Sequence, residues 1–476
     1  MVTLLKRIAL ALAASNLVGS MALCAQEAPD PAALLIAHVN VLDLSGDAPV
    51  IAHDQDILVS RGRIVAVDES GSIALPDGAR RIDGEHRLAM PGLVDMHVHV
   101  WDTPELAGYL GHGVTMVRNM SGMPYLLALR DAVAAGEIDG PRIVTTGPIL
   151  NGSGPNAQPN HQIVDTARAA RAAVQWQYDQ GFRRLKVYSN LSAEAYAAIR
   201  EEAARLGMTI TGHPPEGVRE PGIPFDRPFN IPFETLLDDG FVTLEHAESI
   251  VWHGLRGGRD MDAARALAAR IAESGVAVDP TLFAFYGLMR TAETRGAWLE
   301  RPGTETLNPF ITMMEGENFA RWRGESAEAA RADFEFYRRF TGMLHDAGVP
   351  LIAGTDSGIF ANIPGRSLID ELHLLVSAGL SPYAALQAAT VNPVRILGES
   401  DEAGRIAPGY RADFLLLDGD PLADVGAAGT PWALVRGGRW LDGEALAGLR
   451  DAATRVDAER SQAQVMEAIG QQQAFE

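Results

Sequence analysis

Short apolar segments alternate with amphipathic helical segments over most of this chain, and this alternation limits the possible fold more than any other feature. We predict eight strands, which end near His99, Arg118, Gly147, Tyr188, His213, His246, Pro280 and Asp356. Helical spacing, with a glycine near the end of the segment, is found at 124–135, 166–180, 192–205 and 262–273. Eight consecutive strand–helix units are typical of a parallel (β/α)8 TIM barrel, so the predicted fold class is α/β.

Two groups of shorter apolar runs flank the barrel segment. The runs are separated by turn residues and lie at 34–39, 56–59, 63–67, 414–417, 432–435 and 439–441. Because both groups consist of short apolar runs separated by turn residues, we expect residues 30–90 and 400–445 to pair into one small β-sandwich domain built from both ends of the chain. Residues 91–399 then form the barrel. Residues 446–476 are helical in pattern and are expected to pack on a partner subunit or to fray.

Three connections are longer than the usual few residues, at 150–160, 214–232 and 281 to about 327. All three follow strand ends, which lie on the catalytic face of such a barrel. We therefore expect them to form a lid.

The first 25 residues are typical of a cleaved export signal. Lys6 and Arg7 precede an apolar stretch that fades into small residues before Ala25. An uncleaved anchor and a lipoprotein site at Cys24 are the alternatives, but the clean apolar run is too short to span a bilayer. We expect a periplasmic or secreted protein with no membrane attachment after cleavage. Cys24 is the only cysteine, so any metal must be held by His, carboxylate or Lys-derived ligands.

The formal net charge of −21 disfavours nucleic acid as a partner and suits a small-molecule or short-peptide substrate. A homo-oligomer is compatible with the composition.

Metal-ligand residue types occupy five of the predicted strand ends. His97 and His99 are two residues apart, so on a strand their side chains share one face. The other four are Lys186, His213, His246 and Asp356. Because the carboxyl ends of barrel strands converge on one mouth, these six side chains are expected to hold one or two divalent ions.

Each of these residues also has a simpler explanation. His97 and His99 would be two histidines at a strand end, one of them solvated. Lys186 would then reach solvent at a strand end, His213 and His246 would be ordinary core histidines, and Asp356 would form a turn.

Two longer motifs join this constellation, Pro-Gly-Leu-Val-Asp-Met-His-Val-His at 91–99 and Gly-Arg-Ile-Ala-Pro-Gly-Tyr-Arg-Ala-Asp-Phe at 404–414. With them the chain resembles the amidohydrolase superfamily, in its imidazolonepropionase-like or Xaa-Pro-dipeptidase-like branch. The resemblance implies zinc, with His97, His99 and Asp356 at the more buried ion and His213 and His246 at the more exposed one. It also implies that carbamylated Lys186 bridges the two ions, with a single ion as the alternative.

The expected chemistry is hydrolysis of an amide or peptide C–N bond by water that the metal activates. Asp356 would accept the proton, and His246 or Tyr188 would help to stabilise the oxyanion, although Tyr188 is also explained by packing. Arg118 and His161 are candidate substrate-binding residues, and a structural ion pair is the alternative for Arg118. The expected enzyme is a dipeptidase, carboxypeptidase or N-acyl amino acid amidohydrolase. A lactonase, esterase or cyclic amide hydrolase is the alternative, and a non-catalytic binding protein is disfavoured because every ligand position is filled.

Overall fold

The computed structural model describes residues 33–155, 157–218, 229–473 and 475. The predicted export signal at 1–25 lies outside them, so export stays a prediction. Within the described part, no helix combines the length and the apolar character that a membrane span requires.

The described residues form seventeen strands. They are β1 Leu34–Asp43, β2 Val50–Ser60, β3 Arg63–Glu69, β4 Arg80–Asp83, β5 Leu88–Pro91, β6 Leu93–Val98, β7 Val114–Asn119, β8 Arg142–Thr145, β9 Ile149–Asn151, β10 His161–Ile163, β11 Arg184–Val187, β12 Thr209–Gly212, β13 Phe241–Glu245, β14 Ala277–Asp279, β15 Phe414–Leu417, β16 Ala433–Arg436 and β17 Arg439–Asp442.

Sixteen α-helices and four short 3₁₀ turns complete the described elements. The helices are α1 Glu105–Gly111, α2 Pro124–Ala134, α3 Ala167–Gln180, α4 Ala193–Leu206, α5 Phe233–Leu236, α6 Ala247–Gly254, α7 Met261–Ser274, α8 Leu282–Glu293, α9 Pro309–Met314, α10 Gly316–Gly324, α11 Ala327–Asp346, α12 Arg366–Ala378, α13 Pro382–Ala388, α14 Val391–Ile396, α15 Gly443–Ala452 and α16 Ala458–Gln472; the 3₁₀ turns are Ala297–Glu300, Thr304–Thr306, Val425–Gly429 and Ala453–Arg455.

The sequence signals for the barrel helices are confirmed by their ends. Thr166 caps α3 by accepting a hydrogen bond from the backbone N–H of Ala169, and Gly181 ends that helix in the left-handed conformation. Ser192 and Gly207 do the same for α4.

Seven strands and one irregular segment close a parallel ring, which confirms the predicted barrel. Strands β6, β7 and β8 pair in parallel, as do β11, β12, β13 and β14. A hydrogen bond from the Gly147 N–H to the Arg184 carbonyl oxygen joins the two groups. On the other side, isolated bridges join Leu351 to β14 and Ser357 to β6. The carboxyl ends of all eight segments therefore surround one mouth.

The eighth segment differs from the regular strand that the sequence predicts. The backbone N–H groups of Thr355 and Asp356 both donate to the carbonyl oxygen of His97, so the regular ladder is broken. Gly354 packs so tightly that an added Cβ would lie 2.2 Å from Asp279 Oδ2. Asp356 itself has a φ of 55°. The departure from strand geometry turns the Asp356 side chain into the mouth.

The flanking strands form the small β domain from both ends of the chain. They belong to one hydrogen-bonded sheet in the order β17-β16-β15-β5-β1-β2-β3, with β4 beside β1. The central contact is antiparallel pairing of β5 with β15, which places Ala89 opposite Leu416. Register shifts in β1 bend the sheet, and its inner faces share one core that includes Ile36, Ile57 and Phe414.

Helices cover the barrel mouth where the sequence suggested long loops or a loose tail. The segment predicted as a long connection from 281 to about 327 consists of α8, α9, α10 and two 3₁₀ turns. The tail forms α15 and α16, and α16 packs against α9 and α2 rather than fraying. The part of the predicted lid from 281 to about 327 is therefore a helical cover to which the end of the chain contributes, whereas residues 219–228 of the predicted connection at 214–232 lie outside the described residues.

Candidate metal and active site

The six predicted ligand side chains lie together at the barrel mouth. Asp356 Oδ1 is 3.1 Å from His97 Nε2 and 3.0 Å from His99 Nε2. Lys186 Nζ is 3.0 Å from His97 Nε2. The ring centroid of His246 lies 4.6 Å from that of His97. His213 joins the group at 4.4 Å from the His246 ring.

Three of the histidines are oriented through Nδ1, so that Nε2 is left for a ligand. His97 donates from Nδ1 to Glu245 Oε2 at 2.9 Å. The Thr281 hydroxyl donates to the Pro280 carbonyl oxygen, so it accepts from His246 Nδ1 at 2.7 Å. The Ser249 hydroxyl donates to Glu248 in the same way and accepts from His213 Nδ1 at 3.1 Å. Such partners fix the tautomer of a metal-binding histidine.

The spacing of these atoms fits a divalent cation. His97, His246 and Asp356 each offer one ligand atom within 4.8 Å of the others. Asp356 Oδ1 lies 3.0–3.1 Å from Nε2 of His97 and His99. These distances are close to the separation of neighbouring ligand atoms around a zinc ion. The ligand residues include no cysteine. The site therefore provides nitrogen and oxygen ligands, which suit zinc or a similar ion.

The protonation states also suit metal binding. Burial lowers the pKa of His97, His99 and His213, and it lowers the pKa of His246 to about 4, so these rings are neutral at pH 7. Burial alone would raise the pKa of Asp356. The neighbouring histidines outweigh that effect and hold the pKa of this carboxyl well below its usual range.

Lys186 is buried rather than extended to solvent. Its exposed fraction is 2%, which contradicts the alternative of a solvent-reaching strand-end lysine. Burial lowers the pKa of Lys186 to about 8, although Asp356 and Glu245 oppose the shift. A larger fraction of its amine is therefore uncharged near neutral pH than for an exposed lysine.

Three of the non-glycine residues that build the site have a positive backbone φ. They are His246, Thr281 and Asp356, with φ values of 68°, 45° and 55°. Each such conformation costs on the order of 1 kcal/mol and persists only where the surroundings enforce it. Here it directs a side chain of the site inward at the point where a barrel segment ends.

A buried layer below the mouth contains functional residues that the sequence analysis missed. Glu245 accepts from His97 and also forms an ion pair with Arg118. Asp279 is buried and neither of its carboxylate oxygens has a hydrogen-bond partner among the described residues. Burial and the charge of Glu245 raise the pKa of Asp279 well above its usual range. Each acid is the last residue of its strand in the structure, one position before the predicted strand ends at His246 and Pro280, so a search at strand ends could have found both.

Arg118 belongs to that layer and does not reach the mouth. Its guanidinium donates to Glu245 at 2.9 and 3.1 Å, to Thr243 at 2.8 Å and to the Met96 carbonyl oxygen at 2.7 Å. All its near neighbours are buried parts of the barrel. The substrate-binding role predicted for Arg118 is not compatible with this position, and the alternative of a structural ion pair describes it.

Tyr188 and His161 do line the mouth. Their rings are 5.1 Å apart, and the Tyr188 ring lies 3.9 Å from that of His213. Burial raises the pKa of Tyr188 above its usual value, so its hydroxyl stays protonated. Burial lowers the pKa of His161 to about 3, and its Nδ1 accepts from the Gln158 N–H at 3.3 Å. The ring proton of His161 is therefore on Nε2, which makes this atom a hydrogen-bond donor.

A cavity of about 730 Å³ opens above the ligand residues. Its floor contains His99, Lys186, Tyr188, His213, His246 and Asp356. Its walls come mainly from α8, α9, α10 and α16. The volume is in the range of cavities that hold small-molecule ligands.

Comparison with known proteins agrees with this geometry. A model of the amidohydrolase family matches residues 250–441. Imidazolonepropionase from Salinispora tropica is 24% identical over 79% of this chain and 88% of its own length. Some curated relatives match only locally, and the chain covers 18% of one that is 41% identical over 80 residues.

Solved structures share the whole architecture. Bottromycin amidohydrolase is 25% identical with a TM-score of 0.68, and the match covers 89% of this chain and 91% of that one. A Xaa-Pro dipeptidase is 19% identical with a TM-score of 0.65, covers 87% of this chain and 100% of that one, and shows the common fold.

Proposed function

We propose that this chain, which is similar to amidohydrolases in sequence and fold, is a metal-dependent hydrolase of amide C–N bonds in short peptides or N-acyl amino acids. The observation that carries the proposal is the set of three Nδ1-anchored histidines gathered around Asp356 and Lys186.

Zinc is the proposed metal. His97, His99, His213, His246 and Asp356 would hold it, and Lys186 in its carbamylated form would join two ions. A bound divalent ion supplies Lewis acidity and lowers the pKa of water at the site. The buried amine of Lys186 supports carbamylation, because only an uncharged amine reacts with carbon dioxide and burial lowers the pKa of this one.

Asp356 is the proposed general base. It is ionised, and its oxygens lie among the histidines at the floor of the cavity. It accepts a proton at a carboxylate oxygen from the attacking water and returns it to the departing amine nitrogen, which completes cleavage of the C–N bond.

Two neutral donors next to this floor are suited to hold the substrate carbonyl oxygen. The Tyr188 hydroxyl keeps its proton, and His161 presents Nε2–H because its Nδ1 is occupied. We assign them to orientation of the substrate and to stabilisation of the oxyanion.

The test begins with purified full-length protein loaded with zinc. Metal content is measured by mass spectrometry, and hydrolysis is followed on a panel of dipeptides, N-acyl amino acids, cyclic amides, and esters or lactones of matched shape. We expect one or two zinc ions per chain and higher kcat/KM for open-chain amides than for their ester counterparts. Zinc-loaded protein that cleaves only lactones, esters or cyclic amides contradicts the proposal in favour of those reactions.

We also propose that residues 1–25 direct export and are removed. Mass spectrometry of protein recovered outside the cytoplasm is expected to show a chain that starts after Ala25. An uncleaved N-terminus contradicts this proposal.

A further inference from the structure

The cavity above the metal ligands changes character from its floor to its entrance. Charged and polar side chains line the floor, whereas the upper wall carries mostly apolar ones, with Glu315, Asn318, Arg321 and Gln462 among them. The apolar part of this wall, hereafter the apolar wall, includes Phe285, Met313, Met314, Val465, Met466 and Ile469.

The apolar wall is partly open to solvent at its entrance. Met313, Met314 and Met466 are 64%, 54% and 56% exposed, although they are large apolar side chains. They come from two helices, α9 and α16, that are far apart in sequence and packed together in the fold. Exposed apolar patches of this kind mark binding surfaces, and flexible methionines adapt to occupants of different shape.

Polar contacts fix α16 in place at both of its ends. Near its start, Arg460 forms an ion pair with the buried Asp102, and the Ser461 hydroxyl accepts from Asn308 Nδ2 at 2.8 Å. Near its end, Gln472 Nε2 donates to the Asn160 carbonyl oxygen at 2.8 Å. The middle of the helix carries Val465, Met466 and Ile469, whose spacing of one, three and four residues presents them on one face. The anchoring holds that apolar face over the cavity.

We propose that this cavity is a binding site for a long apolar acyl group, so that the preferred substrates are N-acyl amino acids with medium or long acyl chains. The inference rests on the proposed amide hydrolysis. When the amide bond lies at the floor, its acyl substituent extends along the apolar wall, because the metal-ligand residues already occupy the floor.

The dependence of kcat/KM on the length of the acyl chain tests this proposal. Full-length zinc-loaded protein is assayed with N-acetyl-, N-butyryl-, N-hexanoyl- and N-octanoyl-alanine. Burial of each added methylene favours binding by about 0.8 kcal/mol, which corresponds to about a fourfold gain in kcat/KM per methylene until the cavity is filled. We expect N-octanoyl-alanine to exceed N-acetyl-alanine by at least about a hundredfold.

Met466→Ser and Met313→Ser test the apolar wall directly. Each is expected to lower the octanoyl-to-acetyl ratio of kcat/KM by about tenfold, because part of the apolar contact is lost. Val65→Ser is the matched control, since Val65 is 52% exposed on β3 and does not line the cavity. It is expected to leave the ratio unchanged.

Binding of octanoate, measured by titration calorimetry against acetate, separates failure of this inference from failure of the proposed function. Tight octanoate binding that Met466→Ser weakens, without hydrolysis of any amide, supports the apolar site and rejects the amidase. Equal hydrolysis of all chain lengths, or octanoate binding no tighter than acetate binding, overturns the inference.

Discussion

Replacement of Glu245 by Gln tests the buried layer that orients the first metal ligand. The Glu245 carboxylate is fully buried and contacts His97 on one side and the Arg118 guanidinium on the other. Glutamine has the same shape but no charge. The change therefore removes the nearest counterion of the buried guanidinium, which keeps only Asp279 Oδ2 at 3.9 Å, and it weakens the acceptor that fixes the His97 tautomer.

Two effects of different size follow. Removal of one partner from a buried ion pair typically costs about 3–5 kcal/mol of the free energy of unfolding. Loss of a partner that orients a metal-binding histidine typically lowers metal affinity by about 10- to 100-fold. Exposed pairs contribute far less, so Glu201→Gln, which breaks the exposed contact with Arg171, is expected to cost less than about 1 kcal/mol.

Urea unfolding of the metal-free protein measures the first effect, because bound metal would add its own stabilisation. Zinc titration measures the second. The double variant Arg118→Met with Glu245→Gln is expected to be more stable than Glu245→Gln alone, since neither charge is then buried unpaired. Glu245 does not orient His97 or pair with Arg118 if Glu245→Gln has the same free energy of unfolding and the same zinc affinity as the unchanged protein. Additive effects of Arg118→Met and Glu245→Gln on the free energy of unfolding would contradict the ion pair in the same way.

Three further changes test other parts of the site and its surroundings. Asp356→Asn is expected to lower kcat by about 10²- to 10⁴-fold with zinc still bound, and full activity with bound zinc rules out the proton-transfer role. Lys186→Met is expected to reduce the zinc content from two ions to one per chain, and an unchanged content contradicts a bridging lysine. Burial raises the pKa of Glu105 to about 8. The folded protein therefore binds more protons than the unfolded one between pH 4.5 and 8, and stability falls as pH rises through that range. Glu105→Gln is expected to remove that fall, as measured by the melting temperature at pH 5.5 and 8.5, and equal pH dependence in both proteins contradicts it.

The positions of the ligand residues can be predicted from the sequence, because every strand of a parallel barrel ends at the same mouth. His213 and His246 each follow a short apolar run, and the carboxyl ends of such runs face one mouth in a parallel barrel. Their convergence with His97 needs only strand order and direction. Both of these depend on local apolar periodicity.

The buried layer and the cavity walls depend on contacts that no local pattern contains. Arg118 ends its strand as a ligand residue does, but Glu245, more than a hundred residues later, holds it inside the barrel. The positive φ of Asp356 comes two residues after Gly354, which packs tightly against Asp279. The position of α16 over the mouth depends on side-chain contacts with residues as distant as Asp102.

The charge balance of the floor leads to a last prediction, that zinc binding releases protons. Its histidines are already neutral, so they contribute none. Burial raises the pKa of Asp95 to about 7 and that of Asp279 well above its usual range, and Lys186 with a pKa of about 8 is mostly protonated at pH 7. A divalent cation favours the deprotonated form of all three. Titration calorimetry in buffers of different ionisation enthalpy is expected to show release of at least about one proton per ion at pH 6.5 and less at pH 9. Binding without proton release at pH 6.5 would mean that these groups do not sense the ion, and that the metal lies elsewhere.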